Sequence, residues 1–216
     1  MSNSLKVLGS GTNPSRQVVI KGLTTICAIH SPIIESITLP LLFHRLPDRA
    51  PSTTDSLARE KYRSILSSLS ELCTQVTLFE TLVIRVTTKL ELLSETPLNT
   101  ATSEASEASE ADTDADSPEE ARECTIAYAW DLINTLSTVI DAKLAAKHTD
   151  VIKYFDQIVP RLYGFAVSAA APRVGSISPV FRDRRLLSVI ARVSETMTWE
   201  LSAEYVFLSY GAYVEW

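Results

Sequence analysis

The stretch SITLPLLFHRLPDRAP, residues 36–51, sets Pro40 inside an apolar run and follows it with Leu46-Pro47-Asp48. Leu39, Leu41 and Leu42 around the proline read as part of a buried helix. A proline in a helix interior removes one backbone hydrogen bond and bends the helix there. The following Leu-Pro-Asp reads as a turn. A bent helix followed at once by a turn is half of a helical hairpin.

The rest of the chain supplies the other half. Ile34, Ile37, Leu41 and Leu42 form one helical stripe, and Ala58, Tyr62, Ile65, Leu66, Leu69, Leu72 and Cys73 form the next. Before them stand Val19, Leu23, Ile26 and Cys27; after them Phe79, Leu82, Val83, Val86, Leu90 and Leu93. Further stripes follow at Ile126, Trp130, Ile133, Leu136, Ile140 and Leu144, at Ile152–Ala166, and at Leu186, Ile190, Val193 and Met197. No segment shows a sustained strand-like alternation, so the expected class is all-α. Ser31-Pro32 marks a helix start, and Ser117-Pro118-Glu119-Glu120 marks another with a capping box.

The proline context recurs. Ile158-Val159-Pro160-Arg161-Leu162 aligns with Thr38-Leu39-Pro40-Leu41-Leu42. The first helix of a hairpin begins near Ser31 and again near Gln75, 44 residues on, within the 40–47 residues of HEAT-type units. The third begins near Asp150, late by about the length of an intervening acidic stretch. The expected architecture is an α-solenoid of HEAT-type hairpins, residues 16–199, with an acidic disordered insertion at 95–117. A compact helical bundle with two unrelated prolines is the rival. Residues 1–15 are expected as a flexible tail, and 200–216, ending EYVFLSYGAYVEW, as an atypical aromatic tail.

Charge narrows the function. The formal charge is −6, and setting aside the eight acids between Asn99 and Glu120, a stretch with no Lys or Arg, turns it into +2. Neither value suits broad phosphate binding. The acidic stretch contains no large apolar residue, so burial cannot offset its ordering entropy; Ser109 and Thr113 within it are candidate phosphorylation sites. Three widely spaced cysteines, Cys27, Cys73 and Cys124, fit a reducing compartment and buried thiols. There is no secretory signal and no uninterrupted apolar run long enough to span a bilayer.

Chemistry is sparse. Gly9-Ser10-Gly11 precedes no strand and lacks a following Gly-Lys, so it is no phosphate loop. Cys27 and His30 share a helix face and could give two metal ligands, one or two too few. His44 and His148 lack ligand-spaced neighbours; Asp131 and Asp141, on a helix with Trp130, read as surface acids. Arg161, Arg173, Arg182, Arg184 and Arg185 are the candidate nucleic-acid contacts, interrupted by Asp183. No catalytic, cofactor or metal residue is therefore assigned.

GLTTICAIHSPIIESITLPLLFHRLPDRAP, KYRSILSSLSELCTQVTLFETLVIRVTTKLELL and KHTDVIKYFDQIVPRLYGF resemble consecutive stretches of the fungal MMS-nineteen/Met-eighteen family, from about Gly22 to Val193. Leu78–Arg85 is the most specific part. The resemblance implies a large HEAT-repeat scaffold, several times longer than this chain, of which this is an internal segment without the family's C-terminal repeats. It implies a non-catalytic adaptor, in cytoplasm and nucleus, that brings cytosolic iron–sulfur assembly to apo-proteins of DNA repair, replication and transcription. Its expected partners are proteins, the targeting-complex subunits and their iron–sulfur clients, with no cofactor, no direct nucleic acid and no membrane. The alternatives are a generic helical-repeat module that binds proteins or nucleic acid, and a helical enzyme or metal carrier using Cys27 and His30.

Overall fold

The computed structural model describes residues 14–95, 117–170 and 179–211, and among these every regular element is helical. Helix α1 spans Pro14–Ile33, a π-helical segment Ile34–Thr38 leads into α2 (Leu39–His44), and α3 (Ser56–Leu72) and α4 (Val76–Glu95) follow. Next come α5 (Pro118–Ala145), a 3₁₀ segment Thr149–Tyr154, α6 (Phe155–Ala170), a 3₁₀ segment Pro179–Arg182 and α7 (Arg184–Gly211).

The opening stretch behaves as a bent helix, by a route the sequence does not show. His30 leaves helical geometry (φ −148°, ψ 65°), so the start expected at Ser31-Pro32 is a kink one residue earlier. Val19, Ile20 and Leu23 then line one 310 Å³ cavity with Thr38 and Leu42. A straight helix would hold Val19 and Leu42 about 34 Å apart, so the chain folds back at the kink. By length and composition Gln17–His44 could cross a membrane. Each arm of the folded hairpin, however, is shorter than the about 20 residues a crossing needs.

Beyond the kink, Leu39 N–H reaches Ile34 O, a π-type bond. The wider turn lies directly before Pro40, where a regular α turn would push the ring against the carbonyl four residues back. It also rephases the helix. Ile34, Leu39, Phe43 and Leu46 are buried, whereas Ile37 and Leu41, expected inside, are more than half exposed. Pro160 has a different setting: it sits within α6 itself, after the 3₁₀ segment. Both prolines face out, each just after a buried residue, Leu39 or Val159.

Two helical layers share one core. In the first, α1 contacts α3, α3 contacts α5 and α5 contacts α7; in the second, the π segment contacts α4 and α4 contacts α6. The layers meet along α2–α3, α4–α5 and α6–α7. Helix α5 has neighbours on most sides, and Tyr128, Ala129, Leu132, Ile133, Leu136 and Val139 are fully buried. Trp130, expected in its core stripe, is instead 37 % exposed.

The marked turn and caps hold this packing. Tyr128 Oη donates to Pro47 O (2.9 Å), and Lys89 pairs with Asp48, so α5 and α4 both grip Leu46-Pro47-Asp48. Ser117 and Glu120 form the expected capping box at the start of α5. At its other end, His148 N–H bonds to Lys143 O and Lys147 N–H to Leu144 O, with Lys147 at φ 59°. That is a Schellman cap with lysine in the left-handed place that glycine favours.

Several expectations concern segments outside the described residues. They are the N-terminal tail apart from the start of α1, the disorder of the acidic stretch with Ser109 and Thr113, Gly9–Gly11, Arg173, and residues 212–216. Helix α7 itself continues as far as Gly211.

Candidate protein-interaction face

The outward face of α3, α5 and α7 carries polar and aromatic side chains in two adjoining grooves. The α3–α5 groove (about 230 Å³) is lined by Arg63, Ser67 and Ser70 opposite Asp131, Asn134 and Thr138. Arg63 meets Asp131 early in both helices and Lys143 reaches the Thr74 carbonyl at the far end of both, so α3 and α5 run parallel. Asp131 is not the plain surface acid its sequence context suggests. Its side chain is only 14 % exposed, and Oδ2 accepts from Tyr62 Oη (2.7 Å) and Arg63 Nε (3.0 Å). Burial, and after it the Asp131 carboxylate, hold the Tyr62 phenol protonated, with its pKa pushed up to about 12. The partners lie 68 and 69 residues from Asp131, so no local signal could have found them. Asp141 is exposed, as read.

The α5–α7 groove (about 410 Å³) is lined by Trp130 with Arg184, Arg185, Ser188, Val189 and Arg192. These helices are also parallel, because Arg185 meets Glu123 at one end and Arg192 meets Asn134 further along both. Arg185 forks onto Glu123 (2.6 and 2.8 Å) and also bonds Asp183 Oδ1 (3.0 Å). The guanidinium holds both carboxyls below their ordinary range. Arg192 Nη2 donates to the neutral Oδ1 of Asn134 (2.9 Å). Sequence reasoning picked out Arg184 and Arg185 but missed Arg192 and the exposure of Trp130.

The other arginines of that set are elsewhere. Arg161 lies on α6, in the second layer, 3.1 Å from Thr87 Oγ1 and 3.7 Å from Glu91 Oε1. Arg182 ends the 3₁₀ segment before α7. The basic residues therefore divide between two faces.

The metal candidates separate too. Cys27 is buried, which pushes its thiol pKa up, while His30 is exposed at the kink. Among the described residues, no group of three or more His, Cys, Asp or Glu is placed to hold a metal. All three cysteines are buried thiols, and burial pushes Cys73 up to about 12; a thiol so protonated is a poor nucleophile. His44 is exposed beside an open α2–α4 groove.

His148 belongs to an arrangement that no local sequence pattern signals. Lys143, fully buried, places Nζ 2.9 Å from Asp150 Oδ2, 3.3 Å from Thr74 O and 5.1 Å from the centre of the Phe79 ring. His148 Nδ1 is 3.4 Å from the same Nζ. The Asp150 contact is an ion pair at close range without hydrogen-bond geometry. It ties the ends of α3 and α5 and the 3₁₀ segment together, with Lys143 withdrawn from solvent.

These faces define a class: a two-layer, all-helical protein whose exposed features are grooves between parallel helices. Within that class, the family described as RNAPII transcription regulator, C-terminal, matches residues 65–209, and this chain belongs to that family, the MMS-nineteen C-terminal region. The match runs past Trp199 into the stretch expected as a separate tail. It is also to the C-terminal region, the part the resemblance implied to be absent. Against the curated proteins and the solved structures the chain has no significant match.

Proposed function

We propose that this chain is a non-catalytic scaffold segment of an MMS-nineteen-type transcription and repair regulator. In this reading it helps bring cytosolic iron–sulfur assembly to apo-proteins of DNA repair, replication and transcription, in cytoplasm and nucleus. The observation that carries it is the family match over residues 65–209. Its architecture, in the same proposal, is a piece of HEAT-type α-solenoid. The parallel order of α3, α5 and α7, with a second layer of α4 and α6 behind, supports this. An up-and-down bundle would instead set adjacent helices antiparallel. The fungal type implied by the resemblance belongs to the proposal as well.

The test is co-purification of the chain with the reconstituted iron–sulfur targeting subunits and one apo-client. A stable complex supports the adaptor role; a chain that binds none of them removes it. Two controls address the rival classes. Stoichiometric metal in the purified chain would favour a metal carrier. DNA binding that weakens steeply with salt would favour a nucleic-acid module.

A further inference from the structure

We propose that the α5–α7 groove binds an extended acidic protein segment with two carboxylates four residues apart and an apolar residue midway. This deepens the adaptor reading by naming the chemistry of a partner, and it rests on that reading for its biological setting.

The argument starts from spacing. Arg184, Ser188 and Arg192 recur every four residues along one face of α7. Eight residues of α-helix rise about 12 Å. An extended chain rises about 3.3 Å per residue and turns alternate side chains to one face. Residues i and i+4 of such a segment are thus about 13 Å apart on the same side, matching the two arginines. Residue i+2 falls between them, over the apolar part of the groove, where Trp130 and Val189 lie. The Ser188 hydroxyl is placed at the same midpoint to bond the segment's backbone.

Charge selects the partner. Arg184 is exposed and makes no ion pair among the described residues, and Arg192 is bonded only to a neutral amide. These two guanidiniums have charge to offer, whereas Arg185 is already engaged by Glu123 and Asp183. Those two acids border the groove and oppose a continuous phosphate backbone. A discrete pair of carboxylates can avoid them. The chain's own acidic stretch holds carboxylates four apart, Glu110 with Asp114 and Asp112 with Asp116, but their midpoints are Asp112 and Asp114, so it lacks the apolar residue the groove selects.

The probe is a fluorescein-labelled peptide, Gly-Glu-Ser-Leu-Ser-Glu-Gly, titrated with the full chain by fluorescence anisotropy. Controls carry Lys for both Glu, or Ser for the central Leu. R184A and R192A are each expected to weaken binding about fivefold, and W130A about tenfold. R161A, on the other layer, should bind as the parent does. Added salt should weaken the complex, since the contacts are solvent-exposed. Circular dichroism and W130F, which keeps an aromatic floor, separate lost binding from lost folding.

No binding at millimolar chain overturns the inference, as does an R184A/R192A double variant that binds undiminished. Equal binding of the Lys peptide, or Arg-dependent displacement of the probe by a DNA oligonucleotide, overturns it too. The adaptor reading is read separately. Co-purification with the assembly subunits despite a failed titration would sink the groove and spare the adaptor. Arg-dependent peptide binding without co-purification would do the reverse.

Discussion

Helices α5 and α1 draw on the same apolar residues and meet opposite fates. Along α5, Leu132, Ile133, Leu136 and Ile140 are at most 1 % exposed. Along α1, Val18 is 72 % and Ile29 is 82 % exposed, with Val19, Ile26 and Ile33 also open. The difference is position in the stack. Helix α5 lies between α3 and α7 with α4 at its back, whereas α1 is the first described helix of that layer and has α3 as its described neighbour there. An apolar stripe is therefore a requirement for a partner; the surrounding helices decide whether this chain supplies one.

The buried ion pair should give the largest contrast between the middle of the stack and its end. Lys143→Ala leaves Asp150 and the Thr74 carbonyl facing apolar surroundings and should cost about 3–5 kcal/mol, read by chemical denaturation. Lys143→Met combined with Asp150→Leu, which removes both charges, should cost far less. Equal losses would mean that packing rather than charge dominates the site.

A smaller contrast compares the stripes directly. Leu132→Ala in α5 should cost about 3 kcal/mol through transfer and cavity together, while Ile29→Ser should stay within about 0.5 kcal/mol. The α1 change should show elsewhere. The parent chain is expected to self-associate at micromolar concentration or bind a hydrophobic dye, and Val18→Ser with Ile29→Ser should reduce both. A parent chain that sediments as a clean monomer without dye binding breaks the comparison, since α1 would then need no cover.

At the end of α5, Lys147→Gly should stabilise the chain by about 1 kcal/mol, because glycine takes φ 59° without the Cβ penalty. A loss would show that the lysine side chain contributes more than its backbone costs.

The smallest effect is electrostatic. Arg185 lowers the Glu123 pKa in the folded chain below its ordinary 4.5. The pair's stabilisation is therefore whole above 4.5 and is lost as pH falls through the folded value beneath it. With both side chains about half exposed, Glu123→Gln should remove no more than about 0.5 kcal/mol at neutral pH. It should also flatten the acid limb of the stability curve below 4.5; an unchanged limb would mean that solvent already screens the pair.

Much of the fold was legible because its causes are local. Helical spacing of apolar residues, the Ser117 capping box and the Leu46-Pro47-Asp48 turn each depend on residues within a turn or two of one another. Phase was less legible. The π turn before Pro40 slides the buried stripe from Ile37 and Leu41 to Leu39 and Phe43, and one widened turn ahead of a proline leaves no mark in the apolar spacing. The candidate face was legible only as isolated arginines.

The sequence by itself determined the all-helical character of the described residues, the capped start of α5 and the family kinship, since periodicity, caps and motifs are properties of neighbouring residues. Only the tertiary structure decided that Asp131 serves Tyr62 and Arg63, that Lys143 is sealed against Asp150, and that Trp130 stands open between Arg184 and Arg192. Most of these meetings join residues of different helices, tens of positions apart. Which groups meet is fixed by how helices stack, and burial then turns the same charges and rings into core, ion pair or groove.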